Sequence, residues 1–127
     1  MPAGVVIRGE VANLANEYAR ASVVVVPLLA GSGLKVKIVE AVCHGSAVVT
    51  TSVGAQGLSR LTPSPFAQAD TAEDFGAAVV RVLADPSYRG LLETAAVAVA
   101  PVFSPRRAFQ ELDRHLSACG VLPAPGD

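Results

Sequence analysis

The chain has 127 residues, 51% of them hydrophobic and 17% charged, with a formal net charge of −1. That length supports one domain with one core. The near-neutral charge excludes the electrostatic footprint of a non-specific nucleic-acid binder or of a protein drawn to an acidic membrane by charge alone. So few charges on a soluble domain lead to the expectation that another domain or subunit covers part of its surface.

Cys43 and Cys119 have no metal-binding or redox spacing, so free thiols in a reducing compartment are expected. Met1-Pro2-Ala3-Gly4 leads straight into an apolar run with no leader-like pattern. No apolar stretch reaches the ~18 residues that a membrane span needs. The expected location is cytoplasmic, with peripheral contact at the inner membrane left to a part outside these residues.

In chain order, Val5-Val6-Ile7 reads as a short β-branched strand. Asn13 reads as the N-cap of a helix through Arg20, with Leu14, Ala15, Tyr18 and Ala19 on its apolar face. Four successive valines, Val23 to Val26, suggest a central parallel strand covered on both faces and stopped by Pro27. Gly31-Ser32-Gly33 forms a loop, followed by a helix from Leu34 to His44 with Gly45 at C′. Ala47 to Thr50 is the next strand and Val53 to Thr62 a loop. Phe66-Ala67-Gln68 is a short edge strand. Asp70 or Thr71 caps a helix over Ala72 to Ala84, Pro86 starts another running to Ala100, and Ser104-Pro105 starts a last one ending near Cys119. Residues 1–120 are read as one partial Rossmann-like domain and 121–127 as a flexible tail. Alternation of strands and helices makes the fold class α/β, a Rossmann-like parallel sheet with flanking helices.

The chemistry concentrates between Gly31 and Glu40. A helix start presents unpaired N–H groups and the positive end of the dipole. Glycines at 31 and 33 let an anion approach the backbone. Lys35 and Lys37 add positive charge in the first turn, and Glu40 is placed to accept hydrogen bonds from sugar hydroxyls. An anion receptor beside a hydroxyl acceptor is the pairing that a sugar nucleotide requires. Lys37 and Glu40 also have the spacing of an ordinary i,i+3 surface pair. The loop is not a Walker loop, and Val36 occupies the third glycine position of a dinucleotide fingerprint.

Val24-Val25-Val26-Pro27, Gly31-Ser32-Gly33, Lys37-Ile38-Val39-Glu40-Ala41, Gly45, Val48-Val49-Thr50-Thr51 and Gly54-Ala55-Gln56-Gly57-Leu58 together resemble the retaining glycosyltransferases of the GT-B fold, in particular the group 1 family. The likeness extends more weakly over Leu14 to Ala21, Ala72 to Pro86 and Phe103-Ser104. It implies transfer of a sugar from a nucleoside-diphosphate donor to a glycan or lipid acceptor in polysaccharide biosynthesis. Glu40 would hold the ribose. The backbone of Gly31, Ser32, Gly33, Leu34 and Lys35 would contact sugar and diphosphate, and Lys37 would sit near the anion or brace Glu40. The family's second glutamate, eight positions earlier, is Ser32 here. The resemblance implies no cofactor beyond the donor substrate and no bound metal, and the chain has no Asp-x-Asp. The acceptor domain and the basic pair that grips the diphosphate would precede Met1. This chain would then be roughly the last third of an enzyme and inactive alone. No catalytic residue is assigned.

Other residues have plainer readings. His44 is expected to cap its helix, and Cys43 to be buried. Arg106, Arg107, Arg114 and His115 are expected on a solvated helix face, and Thr50, Thr51 and Ser52 stand equally well for ligand contact or structure. Two competing readings are a non-catalytic interaction or dimerisation module, which allows a homodimer, and a response-regulator-like domain. The second lacks acidic strand ends, since Pro27 and Thr50 stand there.

Overall fold

A computed structural model describes residues 2–120. Five α-helices and three strands alternate as α1 (Leu14–Arg20), β1 (Val24–Val26), α2 (Val36–Cys43), β2 (Val48–Thr50), β3 (Phe66–Gln68), α3 (Ala72–Ala84), α4 (Pro86–Val99) and α5 (Pro105–Ala118), with a 3₁₀ turn at Ala100–Phe103. Local chemistry sets most of these boundaries. Asn13, Thr71, Asp85 and Ser104 each accept a backbone N–H at the start of α1, α3, α4 and α5, a contact worth about 1 kcal/mol per helix. Thr71 rather than Asp70 caps α3. Pro86 and Pro105 occupy first-turn positions, where no N–H is needed.

The three strands form a parallel sheet in the order β1-β2-β3, with Val24 opposite Val48 and Val48 opposite Phe66. β2 is the central strand. Successive side chains point to opposite faces, yet Val48, Val49 and Thr50 are all fully buried, so helices cover both faces. Ile38, Ala41 and Val42 of α2, with Ala96 and Val99 of α4, pack on the Val48 face. Val82 and Leu92, with Phe75, Ala78 and Val79, pack on the Val49 face. Burying each valine of β2 contributes about 2 kcal/mol. The sheet is Rossmann-like, parallel and flanked by helices.

Three expectations are corrected. The run Val5-Val6-Ile7 is not a strand: its side chains are exposed and no neighbouring strand pairs with it. β-branched composition favours a strand only where a partner ladder exists. β1 is an edge strand, not the central one, and Val25 stands about half exposed. Cys43 is exposed because the apolar stripe of α2 runs through Ile38, Ala41 and Val42 and turns residue 43 outward. The 121–127 tail lies outside the described residues.

Candidate functional site at the start of α2

The Gly31–Gly33 loop joins the C-terminal end of β1 to α2, so it lies on the sheet edge where parallel α/β proteins bind ligands. Gly31 and Gly33 have φ of +136° and +77°, conformations that side-chain-bearing residues rarely adopt. The chain is thereby turned so that α2 starts with nothing capping it. Its N-cap position is Lys35, and no side chain accepts from its first N–H groups. The other four α-helices among the described residues all begin with a side-chain cap. The start of α2 therefore leaves its first N–H groups without a side-chain partner at the positive end of the helix dipole.

Lys35 is only 7% exposed. Its Nζ lies 3.4 Å from the point that a Cβ on Gly31 would occupy, so the side chain folds back into the glycine loop. None of the ion pairs among the described residues includes it. A lysine ammonium beside helix-start N–H groups that no side chain caps is chemistry that suits an anion. Lys37 is exposed, as are Ser32 and Leu34.

Glu40 is half-buried one turn into α2 and does not pair with Lys37. Its Oε2 accepts a hydrogen bond from the Tyr18 hydroxyl at 3.2 Å. The Tyr18 ring stacks on the His44 imidazole, with centroids 4.7 Å apart and planes 14° from parallel. Residues 40 and 44 share one helix face, so Tyr18 of α1 spans a turn of α2. Burial, and after it the hydrogen bond and negative charge of Glu40, push the Tyr18 phenol above its ordinary value. His44 is the C-cap residue of α2, and its ring packs as well as ending the helix. Sequence reasoning placed Tyr18 only on an apolar helix face. The available signal was topology: α1 enters β1 and α2 leaves it, so the two helices flank the same strand.

The strand-end hydroxyls belong to the scaffold. Thr50 Oγ1 donates to the Val26 carbonyl at 3.1 Å. Thr51 Oγ1 donates to the Leu28 carbonyl and accepts from the Gly54 N–H. The Ser52 N–H and hydroxyl both donate to Asp70 Oδ1, at 2.7 and 2.8 Å. Those two bonds hold the Asp70 carboxyl below the usual carboxylate range, the N–H contributing most. Arg106, Arg107 and Arg114 are exposed on α5, where Arg114 pairs with Glu111 at 3.6 Å, and His115 is exposed beside the Glu111 carbonyl.

Among the described residues, no three His, Cys, Asp or Glu side chains converge to hold a metal ion, and no helix is long and apolar enough to cross a membrane. No curated protein and no solved structure matches the chain. A family model described as glycosyl transferases group 1 matches residues 1–85, which runs from the first residue to the cap of α4 and takes in the whole sheet and the start of α2. The chain belongs to the group 1 glycosyltransferase family.

Proposed function

We propose that this chain binds the nucleoside-diphosphate sugar donor of a glycosyltransferase at the start of α2. One observation carries the reading: among the α-helices of the described residues, α2 alone begins without a side-chain cap, at the ligand edge of the sheet, with the Lys35 side chain folded into the adjoining glycine loop. The N–H groups of Gly31 to Lys35 and the Lys35 ammonium bind the diphosphate, Lys37 adds charge at the rim, and Glu40 accepts from the ribose hydroxyls. In transfer, this positive end stabilises the departing diphosphate, with no bound metal. Retention of configuration, a glycan or lipid acceptor in polysaccharide assembly, and a cytoplasmic location peripheral to the inner membrane complete the proposal. The acceptor-binding half comes from outside these 127 residues, and the chain alone does not catalyse transfer.

A 15N–1H NMR titration with UDP, GDP and ADP tests this reading. Saturable shifts centred on Gly31 to Glu40 with one nucleotide are expected. Absence of shifts in that segment with all three overturns it.

A second reading, as an interaction or dimerisation module, is favoured by Leu29 and Phe109, which are 85% and 63% exposed. Sedimentation separates the two readings, since a strict monomer counts against self-association.

A further inference from the structure

We infer that Tyr18 is a positioning residue for ribose recognition, fixing the carboxylate of Glu40 in the orientation that receives the sugar hydroxyls. The inference rests on the proposed role of Glu40.

A glutamate has three side-chain torsions, and a half-exposed one samples several rotamers. Recognising a ribose by its vicinal hydroxyls needs one of them. α2 provides nothing to select it: Lys37 makes no ion pair with Glu40, and no hydrogen bond to the Glu40 carboxylate other than that of Tyr18 occurs among the described residues. The selection comes from α1. The Tyr18 hydroxyl donates to Oε2 and leaves Oε1 free to accept. Tyr18 is itself held at two points. Its ring lies on His44, one turn beyond Glu40, and its side chain packs against the core that includes Val26 and Ile38. A tyrosine has only two side-chain torsions, so this stack fixes its hydroxyl well.

The test separates positioning from packing. Each of UDP, GDP and ADP is titrated beside its 2′,3′-dideoxy counterpart, and the ratio of the two dissociation constants gives the ribose selectivity. Three proteins are compared: the unmutated chain, Tyr18→Phe, which keeps the ring stack and loses only the hydroxyl, and Glu40→Gln. The unmutated chain is expected to prefer the ribonucleotide. Glu40→Gln is expected to abolish the preference, and Tyr18→Phe to lower it by roughly five- to tenfold, the size of a charge-assisted hydrogen bond weakened by rotamer freedom. A packing role changes both dissociation constants together and leaves the ratio unmoved. If Glu40→Gln abolishes selectivity and Tyr18→Phe does not alter it, the positioning role is overturned while the Glu40 assignment stands. If the unmutated chain binds no nucleotide or shows no ribose preference, the donor-site reading falls and this inference with it.

Discussion

The Lys35 ammonium lies 3.4 Å from the point where a Cβ on Gly31 would sit, inside the loop that precedes α2. The Lys35 stem is packed away from water and its ammonium belongs to none of the described ion pairs, so the charge is not what holds the loop together. Lys35→Met keeps the aliphatic stem and removes the charge. The expected outcome is unchanged or higher stability in urea, with nucleoside-diphosphate affinity about tenfold lower, equivalent to about 1.4 kcal/mol. Thermal unfolding and an NMR titration on the same sample check it. A variant that loses stability but keeps its affinity would show that Lys35 is packing rather than an anion receptor.

Thr51 ties two loops at the ligand edge by donating to the Leu28 carbonyl and accepting from the Gly54 N–H. It is 4% exposed, and the Gly54 N–H that it receives is buried. Thr51→Val keeps the shape and leaves both groups unsatisfied, which costs about 1–3 kcal/mol. Thr51→Ser retains the hydroxyl and is expected to recover most of that loss. Urea midpoints of the two variants decide the matter, and equal midpoints would remove the hydroxyl from the account.

What could be read from the sequence divides along the range of the interactions involved. Asn13, Ser104 and the Pro86 and Pro105 starts depend on contacts within three residues, and the helices begin where those residues stand. Gly45 ends α2 with φ of +71° for the same local reason. β1 is different. Four valines describe a buried strand, but sheet position depends on which strands pair, and the pairing leaves Val25 facing outward. Val5 to Ile7 shows the same limit, since a β-forming composition without a partner ladder stays extended and exposed. At the start of α2, the glycine loop could be read because glycine marks a left-handed backbone locally, as at Gly31 and Gly33. The inward turn of Lys35 and the grip of Tyr18 on Glu40 could not. The second joins residues 22 positions apart and exists only once α1 and α2 lie side by side.

Gly54 is required by close approach rather than by a left-handed backbone. A Cβ there would lie 2.0 Å from Thr50 Oγ1 and 3.3 Å from Ile38 Cδ1. Thr50 is fully buried and its hydroxyl is committed to the Val26 carbonyl, so it has little room to yield. Gly54→Ala is expected to cost about 2 kcal/mol or more through overpacking. The mechanism predicts non-additivity. Removing Oγ1 with Thr50→Ala relieves the clash, so the double variant should be at least about 1 kcal/mol more stable than the two single effects summed. A double-mutant cycle in urea measures this, and simple additivity would place the damage elsewhere.

The two shifted groups give stability one acid limb and one alkaline limb. Asp70 titrates lower in the fold because Ser52 donates to its carboxylate twice. The unfolded chain therefore takes up the proton first. The stabilisation is complete above the ordinary carboxylate value of about 4 and is lost as pH falls below it. Tyr18 titrates higher, through burial first and Glu40 second. Its stabilisation is complete below about pH 10 and is lost as pH rises beyond that value. Asp70→Asn should flatten the acid limb and leave the alkaline one, and Tyr18→Phe should do the reverse. Urea midpoints measured from about pH 2.5 to about pH 11 test both together. An acid limb that survives Asp70→Asn would assign it to another carboxylate. An alkaline limb that survives Tyr18→Phe would mean that the Tyr18–Glu40 contact does not govern the alkaline loss.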